Sequence, residues 1–218
     1  MYSSLLRIGK LFHIFRIHVP NHLCTYSFQI YKEKETSPYP ILFLAPFLIL
    51  IIDQIPDRSE NLVRIAVTHQ PHSTIIADNL NLPHPDAFFD FAISIAVIHH
   101  LSTQERRTQA IQEILRTLRP ATESYPGGRA LIYAWALEQK NSRRGWDKGD
   151  SQDVMVPWIL KGGSAKDGFD EPPKTFHRYY HLYEESELER DIKRAGGRVL
   201  ESGYDRDNWW AIATHSNE

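Results

Sequence analysis

The sequence predicts an α/β fold built on a mostly parallel sheet, with an antiparallel strand at its C-terminal end. A near-continuous apolar run over residues 88–98 is typical of a strand buried on both faces of a parallel sheet. Strand-like and helix-like segments alternate after Pro56 at the spacing of βαβ units. The length of 218 residues and the hydrophobic fraction of 42% suffice for one such domain with its own core.

The central elements can be placed one by one. Residues 58–67 predict a helix, because Ser59 can cap it and apolar residues recur on one face. Residues 74–77 predict a short strand. Residues 103–118 predict a second helix with Thr103 as its N-cap, and residues 129–136 predict another buried strand.

The C-terminal part combines a long loop, a helix and a pair of strands. The polar segment 138–153 predicts a loop, and loops of that length are usually functional or disordered. A helix is expected to start near Glu184, where acidic residues suit the helix dipole, and to end at Gly196-Gly197. Residues 199–204 and 208–214 predict an antiparallel pair joined by residues 205–207.

Charge and cysteine content narrow the class of protein. Lys and Arg number 25 against 27 Asp and Glu, so a strongly basic coat is absent and RNA contact needs a local patch. The single cysteine, Cys24, excludes an intrachain disulfide framework and a cysteine-based zinc site, and no metal is predicted. Because one cysteine suits a reducing compartment, we expect the cytoplasm and leave the nucleus open as a second location. The apolar run between Pro40 and Asp53 is too short for a transmembrane helix, so no membrane partner is expected.

Two groups of motifs resemble a known class of enzyme. The segment ADNL at residues 77–80 and the run FDFAISIAVIHHL at residues 89–101 resemble class I S-adenosylmethionine-dependent methyltransferases, which have a Rossmann-like fold. The segments RYYHLY at residues 178–183 and ESGYDRDNWW at residues 201–210 narrow the resemblance to the eukaryotic tRNA methyltransferases that esterify 5-carboxymethyluridine at the wobble position. The resemblance covers about residues 57–213.

The resemblance stops upstream of Asp57. The family implies a strand there that ends in a glycine-rich loop, where glycine lets backbone N–H groups approach the cofactor. No glycine occurs between Gly9 and Gly127, so we expect the first strand and its loop to be degraded or missing. We therefore divide the chain into an irregular segment, residues 1–55, and a methyltransferase domain, residues 56–218. A mispredicted gene start, a retained intron or a frameshift would explain the first segment, and a divergent paralogue is the alternative.

The first residues of that segment allow several interpretations. Residues 1–19 are basic and apolar, which suits a presequence. A peripheral helix and a translated segment that is not native are the alternatives, and the rest of the chain carries no secretory or organellar signal that would favour the presequence.

The resemblance implies S-adenosylmethionine as the cofactor and assigns its contacts. Asp57 would accept the ribose hydroxyls, although a helix N-terminal acid is the alternative. Asp78 would accept from the adenine amino group and Asn79 would donate its N–H to the ring, although an Asx turn is the alternative. The residues predicted to bind the cofactor are Asp57, Arg58, Ser59, Ala77, Asp78, Asn79, Ser94, Ile95 and Ala96.

The acceptor implied by the resemblance is a carboxylate, which is already deprotonated at neutral pH and needs no general base. Catalysis then rests on proximity and on an arginine that orients the carboxylate, for which Arg178 and Arg206 are candidates. Either arginine could instead form a surface salt bridge. His99, at the carboxyl end of the apolar strand, completes the predicted catalytic set. The predicted substrate-binding residues, as stacking platforms or phosphate contacts, are Trp135, Arg143, Arg144, Tyr179 and Trp209.

The function implied by the resemblance is methyl transfer from S-adenosylmethionine to the carboxylate of 5-carboxymethyluridine in tRNA, which gives the methyl ester. The implied partners are the tRNA anticodon loop and a small zinc-binding activator protein that covers an apolar sheet edge. One alternative is a non-catalytic tRNA- or partner-binding protein that has lost the cofactor loop. Another is a small-molecule carboxyl methyltransferase, against which the C-terminal motif and the basic segment at residues 142–144 argue.

Overall fold

The computed structural model describes residues 2–8, 11–17, 41–44, 54–57, 60, 63–64, 67, 73–140, 142, 144–160 and 174–216. Side chains are described at residues 60, 63–64 and 67 and at the described residues from 75 onward, except 160. The strands are β1 Tyr2–Ile8, β2 Leu11–Ile17, β3 Ile41–Leu44, β4 Gln54–Asp57, β5 Ser73–Ile76, β6 Phe91–Ile95, β7 Arg129–Trp135, β8 Asp153–Leu160, β9 Lys174–His181, β10 Gly197–Asp205 and β11 Asn208–His215. The helices are α1 Gln104–Thr117 and α2 Glu187–Arg194, and one 3₁₀ turn spans Ile98–His100.

One sheet of seven strands organises the domain, in the order β10-β11-β7-β6-β3-β4-β5. Neighbouring strands from β7 to β5 are parallel, whereas β11 and β10 run antiparallel at the other end. This arrangement confirms the predicted mostly parallel sheet with an antiparallel C-terminal end. Strands β8 and β9 pair with each other in an antiparallel hairpin, and β1 pairs in the same way with β2.

A short strand occupies the centre of the sheet. Strand β3 pairs in parallel with β6 on one side and with β4 on the other. The first strand of the parallel region is therefore present in shortened form, while residues 45–53, which follow it, lie outside the described residues. The boundary predicted between residues 55 and 56 falls inside β4, so the sheet begins upstream of it.

The N-terminal residues carry a β-hairpin. Strand β1 runs antiparallel to β2, with Tyr2 opposite Ile17 and Ile8 opposite Leu11. The alternative of a peripheral helix over residues 1–19 is therefore wrong. Six of the fourteen residues in these two strands are Ile, Phe or Tyr, and these residue types favour strands.

Helix α1 follows its sequence signals closely. The Thr103 hydroxyl accepts a hydrogen bond from the Arg106 N–H at 3.3 Å, which satisfies one of the free donors at the helix start. Ile111, Ile114 and Leu115 are buried on one face of the helix, against the sheet. The helix stops at Thr117, before the Pro120 that the sequence places shortly after its end.

The apolar run at residues 88–98 is only partly a strand. Strand β6 ends at Ile95 because Ala96 has a positive φ of 59°, and the 3₁₀ turn follows two residues later. Val97 and Ile98 stay buried although they lie beyond the strand. Apolarity marked burial in this segment, and burial continues through the turn after the strand has ended.

The C-terminal elements lie close to their predicted places. Helix α2 begins at Glu187 rather than near Glu184, because Ser186 takes a left-handed conformation with φ 65° just before it. Gly196 has φ +81° and ends the helix as expected. The β10–β11 pair is confirmed, and its turn is Arg206-Asp207, both with positive φ as in a type I′ turn.

The predicted helix over residues 58–67 is described only in part. Glu60, Val63, Arg64 and Val67 have helical backbone, and Arg64 pairs with Glu60 one turn away. The remaining residues of that segment, including Arg58 and Ser59, lie outside the described residues. Across the described parts of the chain, the helices are all too short or too polar to cross a bilayer.

Candidate functional site

The carboxyl edge of the parallel strands gathers the residues predicted to bind the cofactor. Asp57 is the last residue of β4 and pairs with Ile76, the last residue of β5. Asp78 follows two residues beyond Ile76, and His99 lies in the turn after β6. Because ligands bind at the carboxyl ends of strands in open α/β sheets, Asp57, Asp78 and His99 share the edge at which a nucleotide is expected.

Asp78 forms a tight turn. Its Oδ1 accepts from the Leu80 N–H at 3.0 Å, and the Asn81 N–H donates to the Asp78 carbonyl oxygen at 3.0 Å. The Asx turn considered as an alternative is thus present. One carboxylate can serve a turn with one oxygen and accept from a ligand with the other, so the adenine contacts of Ala77, Asp78 and Asn79 stay predictions. The side chains of Asp57, Arg58 and Ser59 lie outside the described residues.

Strand β6 presents a buried hydroxyl. Ser94 is fully buried, and its Oγ has no hydrogen-bond partner among the described residues. Its neighbours across the sheet are Leu44 of β3 and Ile132 of β7. An unsatisfied buried hydroxyl costs about 1–3 kcal/mol, and such exceptions in a folded protein often belong to a site. The contacts of Ser94, Ile95 and Ala96 with a cofactor stay predictions.

His99 is held by backbone and aromatic neighbours. It is fully buried, and its Nδ1 accepts from the Trp135 N–H at 3.0 Å, so a neutral ring carries its proton on Nε2. In the part of the chain that the structure describes, that Nε2 has no hydrogen-bond partner. Burial, with smaller effects from His100 and His181, lowers the pKa of His99 well below its usual value of 6.5. His99 is therefore neutral at physiological pH and fixes the carboxyl end of β7.

His100 attaches strand β9 to the same turn. Its Nδ1 lies 3.0 Å from the carbonyl oxygen of Tyr179, to which a protonated Nδ1 donates. Burial lowers the pKa of His100; the bond to Tyr179 opposes that effect, and the Arg178 guanidinium adds to it. Arg178 therefore lies close enough to the turn after β6 for its charge to be felt there.

Aromatic rings form a wall over the end of β7. Trp135 and Tyr180 stack with ring centroids 4.3 Å apart and planes 12° from parallel. Trp146 lies 6.4 Å from Trp135, and the Arg144 guanidinium lies over the Trp146 ring at 5.3 Å. Tyr180 therefore covers one face of Trp135, which leaves at most the other face for a base.

The two candidate arginines lie on hairpins that flank the end of β7. Arg178 is half-buried on β9, and its guanidinium stacks over Trp158 at 4.5 Å. Arg206 lies in the β10–β11 turn, where its Nε is 3.9 Å from Asp205 Oδ1 and its side chain is 48% exposed. The salt-bridge alternative is present at Arg206. Arg178 lies on the same side of β9 as Tyr180, a ring of the wall.

The other predicted substrate-binding residues use their polar groups within the protein. The Tyr179 hydroxyl donates to Asp153; burial and that bond raise its pKa to about 12. Trp209 donates from Nε1 to the Glu138 carboxylate at 2.9 Å. Arg143 lies outside the described residues. The roles of Tyr179, Trp209 and Arg143 toward a substrate stay predictions.

A buried charge cluster below β9 has no signal in the sequence. His181 is 6% exposed; its Nδ1 lies 2.9 Å from Asp153 Oδ1 and its Nε2 lies 2.8 Å from Glu187 Oε1. Arg107 of α1 lies 3.6 Å from Glu187 and 3.7 Å from Asp191. These residues come from four different elements, so only the fold brings them together. Within the described ranges, no group of His, Cys, Asp and Glu is arranged to hold a metal ion.

An open cleft of about 480 Å³ lies to one side of this cluster. Its charges are mixed, with three glutamates against one lysine and one arginine, and Lys148 pairs with Glu185 at 3.0 Å, so its small negative net charge does not select a ligand. The residues that line the cleft are Glu138, Lys148, Glu184, Glu185, Ser186 and Arg190.

Comparison with known proteins agrees with this geometry. A family described as "Methyltransferase domain" matches residues 55–123. A Schizosaccharomyces pombe protein named tRNA (carboxymethyluridine(34)-5-O)-methyltransferase is 51% identical over 166 residues, which cover 72% of this chain and 69% of that protein. The chain belongs to this methyltransferase family. A Saccharomyces cerevisiae protein of the same name is 37% identical over 211 residues, covering 72% of this chain and 74% of that protein.

Solved structures of other methyltransferases share the fold of this family member. An S-adenosylmethionine-dependent methyltransferase from Clostridium acetobutylicum superposes with a TM-score of 0.59 at 11% identity, covering 81% of this chain and 84% of that one. The CcbJ methyltransferase from Streptomyces caelestis superposes with a TM-score of 0.60 at 12% identity, covering 82% and 84%. Because these sequence identities are low, the comparison shows a shared fold and nothing more. It supports the predicted class I methyltransferase fold, in which the carboxyl edge is the ligand side.

Proposed function

We propose that this chain transfers a methyl group from S-adenosylmethionine to the carboxylate of 5-carboxymethyluridine at the wobble position of tRNA, giving the methyl ester. The sheet order carries the proposal, because it places Asp57, Asp78 and His99 at one carboxyl edge beside the aromatic wall. The substrate comes from the names of the two fungal relatives, which cover more than two thirds of this chain.

The residues of this chain fit the adenosine half of the cofactor. Asp57 ends β4, and Asp78 lies two residues beyond the end of the neighbouring parallel strand β5, so one carboxylate can serve the ribose and the other the adenine edge. Ser94 Oγ and His99 Nε2 are buried polar atoms without partners on the strand and turn that lead to the same edge. These four groups are the ones we expect to hold the cofactor.

The chemistry explains why the site contains no evident general base. S-adenosylmethionine, when bound, supplies the methyl group: the carbon–oxygen bond forms as the methyl–sulfur bond breaks, the electron pair leaves on sulfur, and no proton moves. The acceptor carboxylate is ionised above about pH 4. A neutral His99 is suited to this edge, because a histidine cation would repel a sulfonium.

Arg178 is the better placed of the two arginines for orienting the acceptor. It lies on β9, whose neighbouring Tyr180 packs against Trp135 at the end of β7, and its charge reaches His100. A guanidinium can bind both oxygens of a carboxylate and so fix the direction of attack. The packed rings of Trp135 and Tyr180 exclude water on that side of the acceptor.

A transfer assay with two tRNA substrates tests this function. We expect labelled methyl groups to pass from S-adenosylmethionine to tRNA that carries 5-carboxymethyluridine, and not to the same tRNA with unmodified uridine, which has no carboxylate. The product should release its label as methanol in mild alkali, because it is an ester. Isothermal titration with S-adenosylmethionine completes the test. A folded protein that shows no binding would overturn the proposed activity in favour of a non-catalytic RNA-binding role.

We also propose a small zinc-binding activator protein as a partner and a cytoplasmic location, with the nucleus as a second compartment left open. The partner is suggested by the family resemblance and by an apolar residue on an edge strand, since Ile76 of β5 is 54% exposed. The location is suggested by the single cysteine. Co-expression with that activator protein should raise the soluble yield of this chain. The partnership would be contradicted if neither the yield nor the melting temperature increased.

A further inference from the structure

The β8–β9 hairpin has two faces of different chemistry. In its antiparallel register Val156 lies opposite Arg178 and Trp158 lies opposite Phe176, so these side chains share one face. We call Trp158, Phe176 and Arg178 the aromatic face. The opposite face carries the alternate residues, among them Met155 and Ile159, which are 58% and 61% exposed.

The aromatic face continues the wall at the end of β7. Tyr180, on the same side of β9 as Arg178, is buried against Trp135, and Val156 is buried next to it. Further along the hairpin burial decreases, until Phe176 is 48% exposed. The same side of the hairpin therefore runs from the proposed site outward to solvent.

The composition of this face suits a single-stranded nucleic acid. Arg178 stacks over Trp158 at 4.5 Å, and the Trp158 and Phe176 ring centroids are 5.8 Å apart. Residues 154–160 and 174–180 contain no Asp or Glu, whereas Lys174 and Arg178 are cationic, in a chain of net charge -2. Exposed rings with interleaved cations form the usual platform for unstacked bases and their phosphates.

We propose that the aromatic face binds the unstacked loop nucleotides adjacent to the uridine that is methylated. Bases stack on Phe176 and on the accessible part of Trp158, and Lys174, on the same face at the outer end of the hairpin, contacts a flanking phosphate. The identity of the RNA rests on the function proposed above; the platform itself rests on the geometry of the hairpin. Aromatic residues and arginine are also frequent in protein interfaces, so a protein partner is the competing occupant, and failure of the stem–loop to bind would favour it.

Alanine variants on the two faces of the hairpin test the platform. The full-length protein and its Trp158→Ala and Phe176→Ala variants are titrated against a fluorescently labelled anticodon stem–loop by anisotropy. Each variant should weaken binding by about 5-fold to about 100-fold, the range for loss of one stacked base. Met155→Ala and Ile159→Ala remove exposed apolar side chains from the opposite face and should bind within about twofold of the original chain.

Folding is controlled separately, because Trp158 is half-buried. Trp158→Phe retains a ring and should recover most of the affinity, and thermal melting of each variant shows whether the hairpin still packs. The platform would be overturned if Trp158→Ala and Phe176→Ala both melt normally and bind the stem–loop within about twofold of the original chain. Equal losses on both faces would also overturn it, because the effect would then not be confined to the aromatic face.

Separate measurements of stem–loop binding and of methyl transfer distinguish this inference from the proposed function. If the chain binds the stem–loop through the aromatic face but transfers no methyl group, the platform stands and the activity fails. If transfer occurs and the variants of both faces share one KM for the stem–loop, the activity stands and the platform fails. If the chain binds no RNA, the platform is overturned. The supporting result is a raised KM for the stem–loop in the aromatic-face variants only, with kcat unchanged in Phe176→Ala.

Discussion

Replacing His181 by leucine is expected to destabilise the domain in a pH-dependent way. The imidazole joins β9 to β8 through Asp153 and to α2 through Glu187, at 2.9 Å and 2.8 Å. Both contacts are full hydrogen bonds only if both ring nitrogens carry protons, that is, if His181 is an imidazolium. Burial opposes this charge, but the bonds to Glu187 and Asp153 outweigh burial and raise the pKa of His181 above 6.5.

The size of the effect follows from the two contacts. Glu187 is 7% exposed, so losing its charge-assisted bond costs about 1.5–3 kcal/mol. The Glu187 carboxylate keeps other hydrogen bonds, because the Gln152 amide donates to it at 2.6 Å and the Glu184 N–H donates to it at 3.1 Å. The Asp153 side chain is 62% exposed, so its contact adds less than about 1 kcal/mol. We therefore expect His181→Leu to lose about 2–3 kcal/mol at pH 6, or about 5–10 °C in melting temperature.

The sign of the pH dependence is fixed by the raised pKa. The folded protein holds the His181 proton more tightly than the unfolded chain, so this stabilisation is complete below about pH 6.5 and is lost as pH rises through the folded pKa. A single proton gives a slope of at most about 1.4 kcal/mol per pH unit. His84, His99 and His100 act in the opposite sense, because burial lowers the pKa of each. The contribution of His181 is therefore measured as the difference in unfolding free energy between two variants that both keep His84, His99 and His100.

Urea denaturation from pH 6 to pH 9 measures that difference. The matched control is His177→Leu on the same strand, where the histidine is exposed and opposite Pro157. The gap in unfolding free energy between the His181→Leu variant and the control should be largest at pH 6 and should shrink as pH rises. A gap below about 0.5 kcal/mol at pH 6, or a gap that does not change with pH, would refute the imidazolium clamp.

Two further pairs of substitutions test the site and the core. Arg178→Ala should lower methyl transfer by about 100-fold while S-adenosylmethionine affinity, measured by calorimetry, stays unchanged, and Arg206→Ala should lose less because its charge is already paired in a hairpin turn. Parallel loss of transfer and cofactor affinity in Arg178→Ala would point to misfolding instead. Gly128→Ala should lose about 3 kcal/mol in urea denaturation, since its Cβ would lie 2.7 Å from a backbone carbonyl oxygen. Gly196→Ala meets no atom within 4 Å and should lose only the about 1–2 kcal/mol of a left-handed backbone, so equal losses would contradict the packing argument.

Local signals in the sequence were enough for much of the fold. The N-cap at Thr103, the glycine that ends α2 and the alternating pair β10–β11 each depend on residues near one another in the chain. The β8–β9 hairpin was missed because its pairing joins Asp153 to His181 across a long interval, and Val154, Val156 and Trp158 alternate for too short a distance to stand out.

The candidate site was predictable in position but not in detail. The rule that ligands lie at carboxyl ends of parallel strands placed His99 correctly, since the rule needs only strand order. Sequence could not reveal that His99 accepts from the Trp135 backbone, or that Tyr180 already covers a face of Trp135. Side-chain partners of this kind are set by packing between distant segments, so they have no counterpart in local periodicity.

The pH dependence of activity should come from the structure that supports the site, because the acceptor is a carboxylate. Transfer to a carboxylate moves no proton, so no group in the reaction itself titrates between pH 6 and pH 9. Strand β9 does depend on a titrating group, because His181 ties it to α2, and the same strand carries Arg178 and Tyr180. Loss of the imidazolium at alkaline pH therefore weakens the support of the acceptor side and leaves the carboxyl edge of β4 and β5 unchanged. A fall in activity at high pH should accordingly be a rise in KM for RNA with the affinity for S-adenosylmethionine preserved, which is the reverse of what loss of a catalytic base would give.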